Sequence, residues 1–454
     1  MSPYNLEKIM HSKGKVFIFN WHLFHKLLVI SALMASSSMA TANTMPQMIA
    51  RVSLAPPYFP VILRGSVLAS LLGAPAAQIN AIARHGTAIK PIPFQIDKRD
   101  TKGSYELSTK NSKETAKLDT NDECLFMSSD AGERITTLPE QYAPFPIIEI
   151  VIVDPKTEER KWVYLIKTPT ADGPPADSTN YVVYDSTKDA IQTNIYRIGF
   201  SSKHPFMIDS FQWHLTGSSE WSPNLFDTMK IRHQGKFFGK LGFSRTHADY
   251  RSRVTAVKAG PIRVIRRTVN SVRIISYLQS PSVTIDFIAY VNGFQMDTTI
   301  DLPFSLGWFF SDMSALATID WNDDPSLPAL RVYGDDTRNG LLVEGRMTPE
   351  KDRFNEAGGQ NFLVANSYGL VLIQLEMEKN LPVKVGNYLQ DNRSQVDKPE
   401  NIPGQFGNVG FMTTGWEKVD ATIHHMLFNV LLVQNATVEQ GMGMRNYDPW
   451  KTLP

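Results

Sequence analysis

Apolar and polar side chains alternate along most of this chain, and helical spacing is scarce. The clearest stretch is Val283–Leu302, where an Asn292-Gly293 turn predicts a two-residue hairpin that places Val291 opposite Phe294 and Phe287 opposite Thr298. Val283, Ile285, Phe287, Ala289 and Val291 then share a core face with Phe294, Met296 and Ile300. The opposite face collects Thr284, Asp286, Tyr290, Gln295, Asp297, Thr299 and Asp301, with Ile288 its one aliphatic residue. In this register Asp286 lies opposite Thr299 and diagonal to Asp297, and Asp301 opposite Thr284. Diagonal carboxylates ~7–8 Å apart are spaced to flank a glycosidic bond. An ordinary solvated sheet face carries the same residue types.

Similar alternation extends over the rest of the chain. From Ile49 to about Thr168, short apolar runs are broken by Gly and Pro, a short helical piece is expected within Ser66–Arg84, and a hairpin joins Ile147–Val153 to Lys161–Lys167. Residues 43–170 therefore read as a small β-sandwich, 171–178 (with Asp172-Gly-Pro-Pro-Ala-Asp177) as a linker, and 179–454 as one large antiparallel β unit. In the large unit the runs Tyr181–Tyr184, Asn194–Phe200, Phe237–Arg253, Ile262–Leu278, Leu370–Met377 and Thr422–Val433 are the expected strands, and polar Asp335–Gln360 a surface excursion. The expected class is all-β.

Residues 1–42 resemble a secretory signal peptide: Lys8, Lys13, Lys15 and Lys26 precede the apolar run Leu27–Ala35, and Ala40-Thr41-Ala42 offers a cleavage site. Phe17–Leu33 is the alternative, an uncleaved anchor. Removing the leader turns a formal charge of +1 into −2, which gives no electrostatic drive toward nucleic acid. The single cysteine, Cys124, rules out an intrachain disulfide, so a periplasmic or extracellular destination is met with core packing alone. No later segment offers ~18 uninterrupted apolar residues, so no second membrane span is expected. An outer-membrane barrel fits poorly with the Pro-rich connections. Nucleotide-binding, zinc-protease, serine-hydrolase and paired-cysteine motifs are absent from the sequence.

Three further patterns carry candidate chemistry. Along Phe243–Val254 the odd positions Arg245, His247, Asp249, Arg251 and Arg253 project from one face if the segment is a strand, which places a base, His247, and a carboxylate, Asp249, among substrate-neutralising arginines. An exposed ladder of ion pairs is the competing explanation. Asp119, Asn121, Asp122 and Glu123 cluster hard oxygens that suit calcium, although no complete EF-hand loop is present and an Asx-type turn capping a strand is the preferred explanation. Trp213, Trp221, Trp308, Trp321 and Trp416 supply flat rings of the kind that stack on sugars, Trp308 being taken as the candidate ligand contact. Adjacent His424 and His425 face opposite ways on a strand and do not join one metal site.

Three short stretches, Pro91-Ile-Pro-Phe-Gln-Ile-Asp97, Leu118-Asp-Thr-Asn-Asp-Glu-Cys-Leu-Phe126 and Lys258-Ala-Gly-Pro-Ile-Arg-Val264, occur in an order that resembles secreted bacterial proteins pairing a small β-sandwich with a galactose-mutarotase-like supersandwich. The resemblance implies that architecture, and related second domains often handle carbohydrates. It covers no catalytic motif. The expected function is an exported carbohydrate-binding protein, with Arg245, Arg251, Asp286, Asp297, Asp301 and Trp308 binding a glycan and catalysis left open. The alternatives are a non-catalytic structural or adaptor protein of the envelope, with an envelope protein as partner, and a subunit of a periplasmic redox system. No cofactor is expected beyond calcium at Asp119, Asn121 and Asp122.

Overall fold

Strands dominate because β-branched and aromatic residues recur at alternate positions, each run burying one face. A computed structural model describes residues 45–107, 116–140, 142–168, 179–275, 278–337, 339–399, 404–445 and 448–453. The leader and the linker expected at 171–178 lie outside the described residues. The fold is all-β, with two short α-helices among the described residues, Pro349–Ala357 and Val438–Gly443.

The N-terminal part builds a five-stranded sheet around Ile147–Val153, Arg160–Lys167 and Ile79–His85, and a three-stranded sheet of Pro60–Arg64, Glu123–Met127 and Gln95–Asp97. The two enclose Val61, Leu63, Leu125, Ile150, Val163 and Leu165, all fully buried. Ser66–Leu71 turns in two 3-10 segments where a short helical piece was expected, because Leu68 and Leu71 are both drawn into this core.

Beyond it a long, ten-stranded sheet runs through Tyr250–Ala259, Val264–Ile275, Val283–Tyr290, Gly293–Asp301, Ile423–Val433 and Gly369–Met377. One of its faces packs on a second five-stranded sheet, the facing sheet, ordered Leu241–Thr246, Phe226–Phe237, Phe310–Trp321, Gln405–Thr414, Lys384–Asn392. Phe287, Phe294, Phe362, Phe411 and Trp321 fill the core between them. Its other face joins the small sandwich's core through Ile265, Ile288, Tyr290, Leu372 and Leu431. This explains Ile288: the lone aliphatic residue on the hairpin's polar face lies under the small sandwich.

The hairpin forms in a different register from that expected. Ala289 pairs with Phe294, Phe287 with Met296 and Asp286 with Asp297, so the turn residues are Val291 and Asn292. Gly293 is required inside the strand instead: it has φ 149°, and a Cβ there would stand 2.2 Å from the Val430 carbonyl and 2.9 Å from the Trp450 ring. Asn292 is buried and donates to the Tyr58 carbonyl (3.1 Å), pinning the turn to the small sandwich. The pairing shifts by two residues, so both faces keep their composition.

Two other expectations are corrected. Phe243–Val254 is not one strand: the chain turns through a 3-10 segment, His247–Asp249, and passes from the facing sheet to the long sheet. Asp249 accepts from the Thr246 amide (3.0 Å) while the Thr246 hydroxyl accepts from Ala248 (3.3 Å), a capping box that breaks the extended chain. Asp335–Gln360 is more than a surface excursion, because helix Pro349–Ala357 buries Phe354 and inserts Lys351 onto Asp391 (2.5 Å).

Candidate functional site

The three stretches that carry the family resemblance converge in space, at the seam between small sandwich and long sheet. Arg263 donates to Asp97 (2.7 Å), Glu123 (2.6 Å) and the Tyr290 hydroxyl (3.1 Å); Lys258 pairs with Asp97 (2.7 Å) and Arg99 with Glu123 (2.9 Å). Gln95 accepts from the amides of Ile262 and Arg263 at 3.0 Å each, and Gly260 is small because a Cβ would overlap the Gln95 side chain. Burial opposes ionisation of Asp97 and Glu123, yet the surrounding cations hold both below the usual carboxylate range. Arg263, Asp97 and Glu123 are essentially without solvent access, so the network joins two parts of the protein and leaves no room for a substrate.

The calcium candidates belong to the edge of this region. The Lys98 ammonium lies 2.7 Å from Asp119 and 2.6 Å from Asp122, and also donates to the Lys117 carbonyl (2.8 Å). Asp119 further accepts from the Asn121 amide (2.9 Å), an Asx turn. An internal cation thus occupies the centre of the carboxylates. Among the described residues no group of three or more His, Cys, Asp or Glu side chains is arranged to hold a metal ion.

Of the Arg245–Arg253 set, the structure brings together less than the sequence pattern implied. Arg245 caps the carbonyls of Arg273 (2.8 Å) and Ile274 at the end of the neighbouring strand. Asp249 pairs with Arg273 (2.5 Å), which together with the Thr246 amide overcomes burial and keeps its carboxylate ionised below the usual range. His247 packs edge-on against His204 (5.3 Å), and burial, with Arg232 next in effect, pushes its imidazole down to about 4. Arg251 is exposed on the edge strand of the long sheet. The alternation read from the sequence spans two sheets, so its members do not share a face.

The hairpin carboxylates are closer than expected. Asp286 and Asp297 are direct cross-strand partners, and Arg267 from the adjacent strand forks onto Asp286 with two 2.6 Å bonds. The Asp297 carboxylate accepts no side-chain hydrogen bond among the described residues; burial, then the neighbouring Asp286, raises its affinity for a proton. Asp301 is exposed at the strand end, away from this pair.

The most apolar concave feature lies elsewhere. Between the long sheet and the facing sheet, toward the end away from the seam, the core is incomplete and leaves a cavity of about 280 Å³. Its floor is Ile285, Met296, Thr298, Ile300, Met426 and Phe428 of the long sheet; its roof is Ile231, His233, Ala315, Ala317 and Thr413 of the facing sheet. Ala315 and Ala317 sit where larger inward residues would close the gap, since they are neighbours of His233, Ile231, Phe411 and Thr413. Polar groups in the wall largely satisfy one another: His233 bonds the Tyr250 hydroxyl (2.6 Å), Asn270 the Ser252 hydroxyl (2.5 Å), and Thr413 receives the Trp416 indole (2.8 Å). Burial pushes His233 down to about 4, so it is neutral near pH 7. Phe304, Leu306, Trp416 and Arg245 form the rim. A second hollow of about 380 Å³, at the opposite end beside Asn366–Leu370 and Gln434–Ala436, is lined mainly by polar and small residues.

No protein-family model and no curated protein matches the chain. The predicted residue nearest to it is Arg245 at the rim, with exposed Trp308 on the loop that also carries Leu306. The cavity residues were missed because each is an ordinary inward position on a strand. The one available signal was Ala315-Leu-Ala317, small residues at successive inward positions of an otherwise bulky sheet.

Proposed function

We propose that this protein, exported to the periplasm or cell exterior, binds a single-chain amphiphile, with its hydrocarbon tail between the two sheets and its polar head at the rim beside Arg245. The observation that carries this reading is the apolar inter-sheet cavity whose polar wall groups are for the most part already paired. Such walls offer a sugar few hydrogen bonds but stabilise an acyl chain by about 0.8 kcal/mol per buried methylene. A dry void of this size also forfeits packing on the order of several kcal/mol, at roughly 24 cal/mol per Å³ of cavity, which an occupant restores. Titration with a dansylated undecanoic acid tests the reading. Saturable enhancement of the probe's emission, displaced by dodecanoate and reduced at least roughly tenfold in affinity by Ala315→Leu, is expected. Equal binding by Ala315→Leu removes the cavity as the site.

A glycan reading draws on one specific observation, the Asp286–Asp297 pair. Arg267 neutralises one carboxylate while the other holds its proton more tightly, an arrangement suited to acid/base work on a sugar. A glycan array on the protein, with Asp297→Asn and His247→Ala beside it, tests it. Absence of any bound glycan on the parent protein eliminates this second reading.

A further inference from the structure

We infer that the occupant of the inter-sheet cavity carries an uncharged oxygen, a hydroxyl or a carbonyl, within its hydrocarbon chain, and that the Thr298 hydroxyl pairs with it. The inference rests on the amphiphile reading above and narrows its ligand to an oxygenated acyl chain. Thr298 lies within Gly293–Asp301 and has Ile285 and Met426 as direct cross-strand partners, with Met296 and Ile300 two residues away on the same face. Its side chain is therefore set among aliphatic and thioether groups on the cavity floor, and the residue is only 4% exposed.

The Thr298 hydroxyl makes no hydrogen bond among the described residues. Its counterparts around the cavity do. Thr413 on the roof donates to the Ala315 carbonyl (3.0 Å) and accepts from the Trp416 indole (2.8 Å). Asn270 donates to the Thr268 hydroxyl (3.1 Å), and Ser280 donates to the Pro281 carbonyl (2.9 Å) while accepting from the Val272 amide (2.9 Å). Ser314 alternates to the outer face of the facing sheet, since Ala315 and Ala317 hold the inward positions. Thr298 stands in mid-strand, where no cap or turn calls for a hydroxyl. Valine has nearly its shape and suits a strand equally, and in a floor of this composition it would leave nothing unpaired. A buried hydroxyl without a partner works against folding, so its presence here is explained by a partner that arrives with the ligand.

Charge and depth define that partner. Among the described residues Arg245 is the only charged side chain in the wall, and it lies at the rim; His233 is neutral near pH 7. An ionic group carried into the interior would be buried unpaired, so the oxygen that meets Thr298 is uncharged. A threonine hydroxyl donates one hydrogen bond and accepts others, which suits an alcohol or a carbonyl. Leu302 stands where this strand reaches the rim, and Thr298 lies four residues, ~13 Å, further in. The oxygen is thus well removed from the head group beside Arg245. A plain chain leaves the Thr298 hydroxyl as unmet as it was before. An oxygenated chain gives up its own hydration on entry but recovers a hydrogen bond at the floor, and that recovery depends on Thr298.

The test is displacement of the dansylated acid from the full chain by dodecanoate and by dodecanoates hydroxylated at a single carbon, from carbon 2 to carbon 12. Parent, Thr298→Val and Thr298→Ser are compared, and each hydroxylated acid is read as its affinity relative to dodecanoate in the same protein. In the parent, an acid hydroxylated in the distal half of its chain is expected to match or exceed dodecanoate. Thr298→Val should lower that relative affinity at least roughly tenfold, whereas Thr298→Ser retains it. The 2-hydroxy acid keeps its hydroxyl at the rim and should show one relative affinity in all three proteins. Unchanged relative affinities in Thr298→Val overturn the inference, as does a uniform fall that includes carbon 2. An equal fall in Thr298→Ser also overturns it, because the methyl group and not the hydroxyl is then what the chain meets. The unfolding midpoint of ligand-free Thr298→Val should equal or exceed that of the parent, since an unpaired hydroxyl has been removed. If neither the probe nor dodecanoate binds the parent, the amphiphile reading falls and takes this inference with it. If both bind and the relative affinities do not move, the inference alone falls.

Discussion

Where the small sandwich meets the long sheet, Arg263, Asp97, Glu123 and Lys258 bury charge against charge, whereas at the far end of the same sheet Ile285, Ile300 and Phe428 face a space that no side chain fills. The strands are continuous between the two regions: Val283–Tyr290 has the cavity at its first residues and the seam at its last. One region is closed by groups that tolerate no vacancy. The other is left incomplete by alanines in a sheet that elsewhere presents Phe, Ile and Trp. An unpaired buried ion is far more costly than a missing methylene, so the seam must be fully satisfied while the open end is free to exchange its contents.

The largest expected effect comes from breaking the seam. Arg263→Met leaves Asp97 and Glu123 buried beside fewer cations, and destabilisation of at least about 3–5 kcal/mol in urea unfolding is expected. Trp450→Ala should fall in a similar range of about 3–5 kcal/mol, because its ring is 3% exposed and stacked on Tyr290 at 5.0 Å. A loss below about 1 kcal/mol for Arg263→Met would show that the network adds little to holding the two parts together.

Acid separates the regions by order of failure. His233 is neutral in the folded protein, at about 4, and protonates near 6.5 once unfolded, so its contribution is complete above 6.5 and is lost as pH falls toward 4. The predicted loss is at most about 3 kcal/mol, and His247 shifts in the same direction. Asp97 and Glu123 act in the lower range. Their folded affinities for protons are depressed, so their stabilisation persists above about 4 and is lost only as pH falls through the folded values. Unfolding midpoints measured between pH 7 and pH 3 should therefore show two declines, the first reduced in His233→Gln and abolished only when His247 is also replaced, in His233→Gln/His247→Gln. A single decline confined to the acid range contradicts the assignment of His233.

Much of the fold could be read from alternation alone, since one residue in two is apolar wherever a strand has a dry face. Ile147–Val153, Gly369–Met377 and Ile423–Val433 form close to the expected bounds. The hairpin kept its faces despite a shifted register, because a shift of two preserves parity. What failed were features set by contacts from distant residues. Gly293 is claimed by Val430 and Trp450, which local turn preference does not reveal. Arg245 through Arg253 satisfied a strand pattern, but Thr246-His-Ala-Asp249 is also a capping box, and the cap prevailed. The cavity was illegible for a different reason: it is defined by small residues facing one another across two sheets, and sequence spacing within one strand carries no record of the other.

Trp308 gives the smallest effect on stability and the sharpest separation of the two regions. It is the same residue type as Trp450, yet its ring is 69% exposed and makes no hydrogen bond within the described residues, so folding gains little from it. Trp308→Ala should change the unfolding free energy by less than about 0.5 kcal/mol, as surface substitutions do. Urea and thermal midpoints should both stay fixed. A stability loss comparable to that of Trp450→Ala would mean instead that the ring is an internal support of the loops over the cavity. In that case the open end would be closed in solution, and the contrast with the seam would be one of composition without a difference in access.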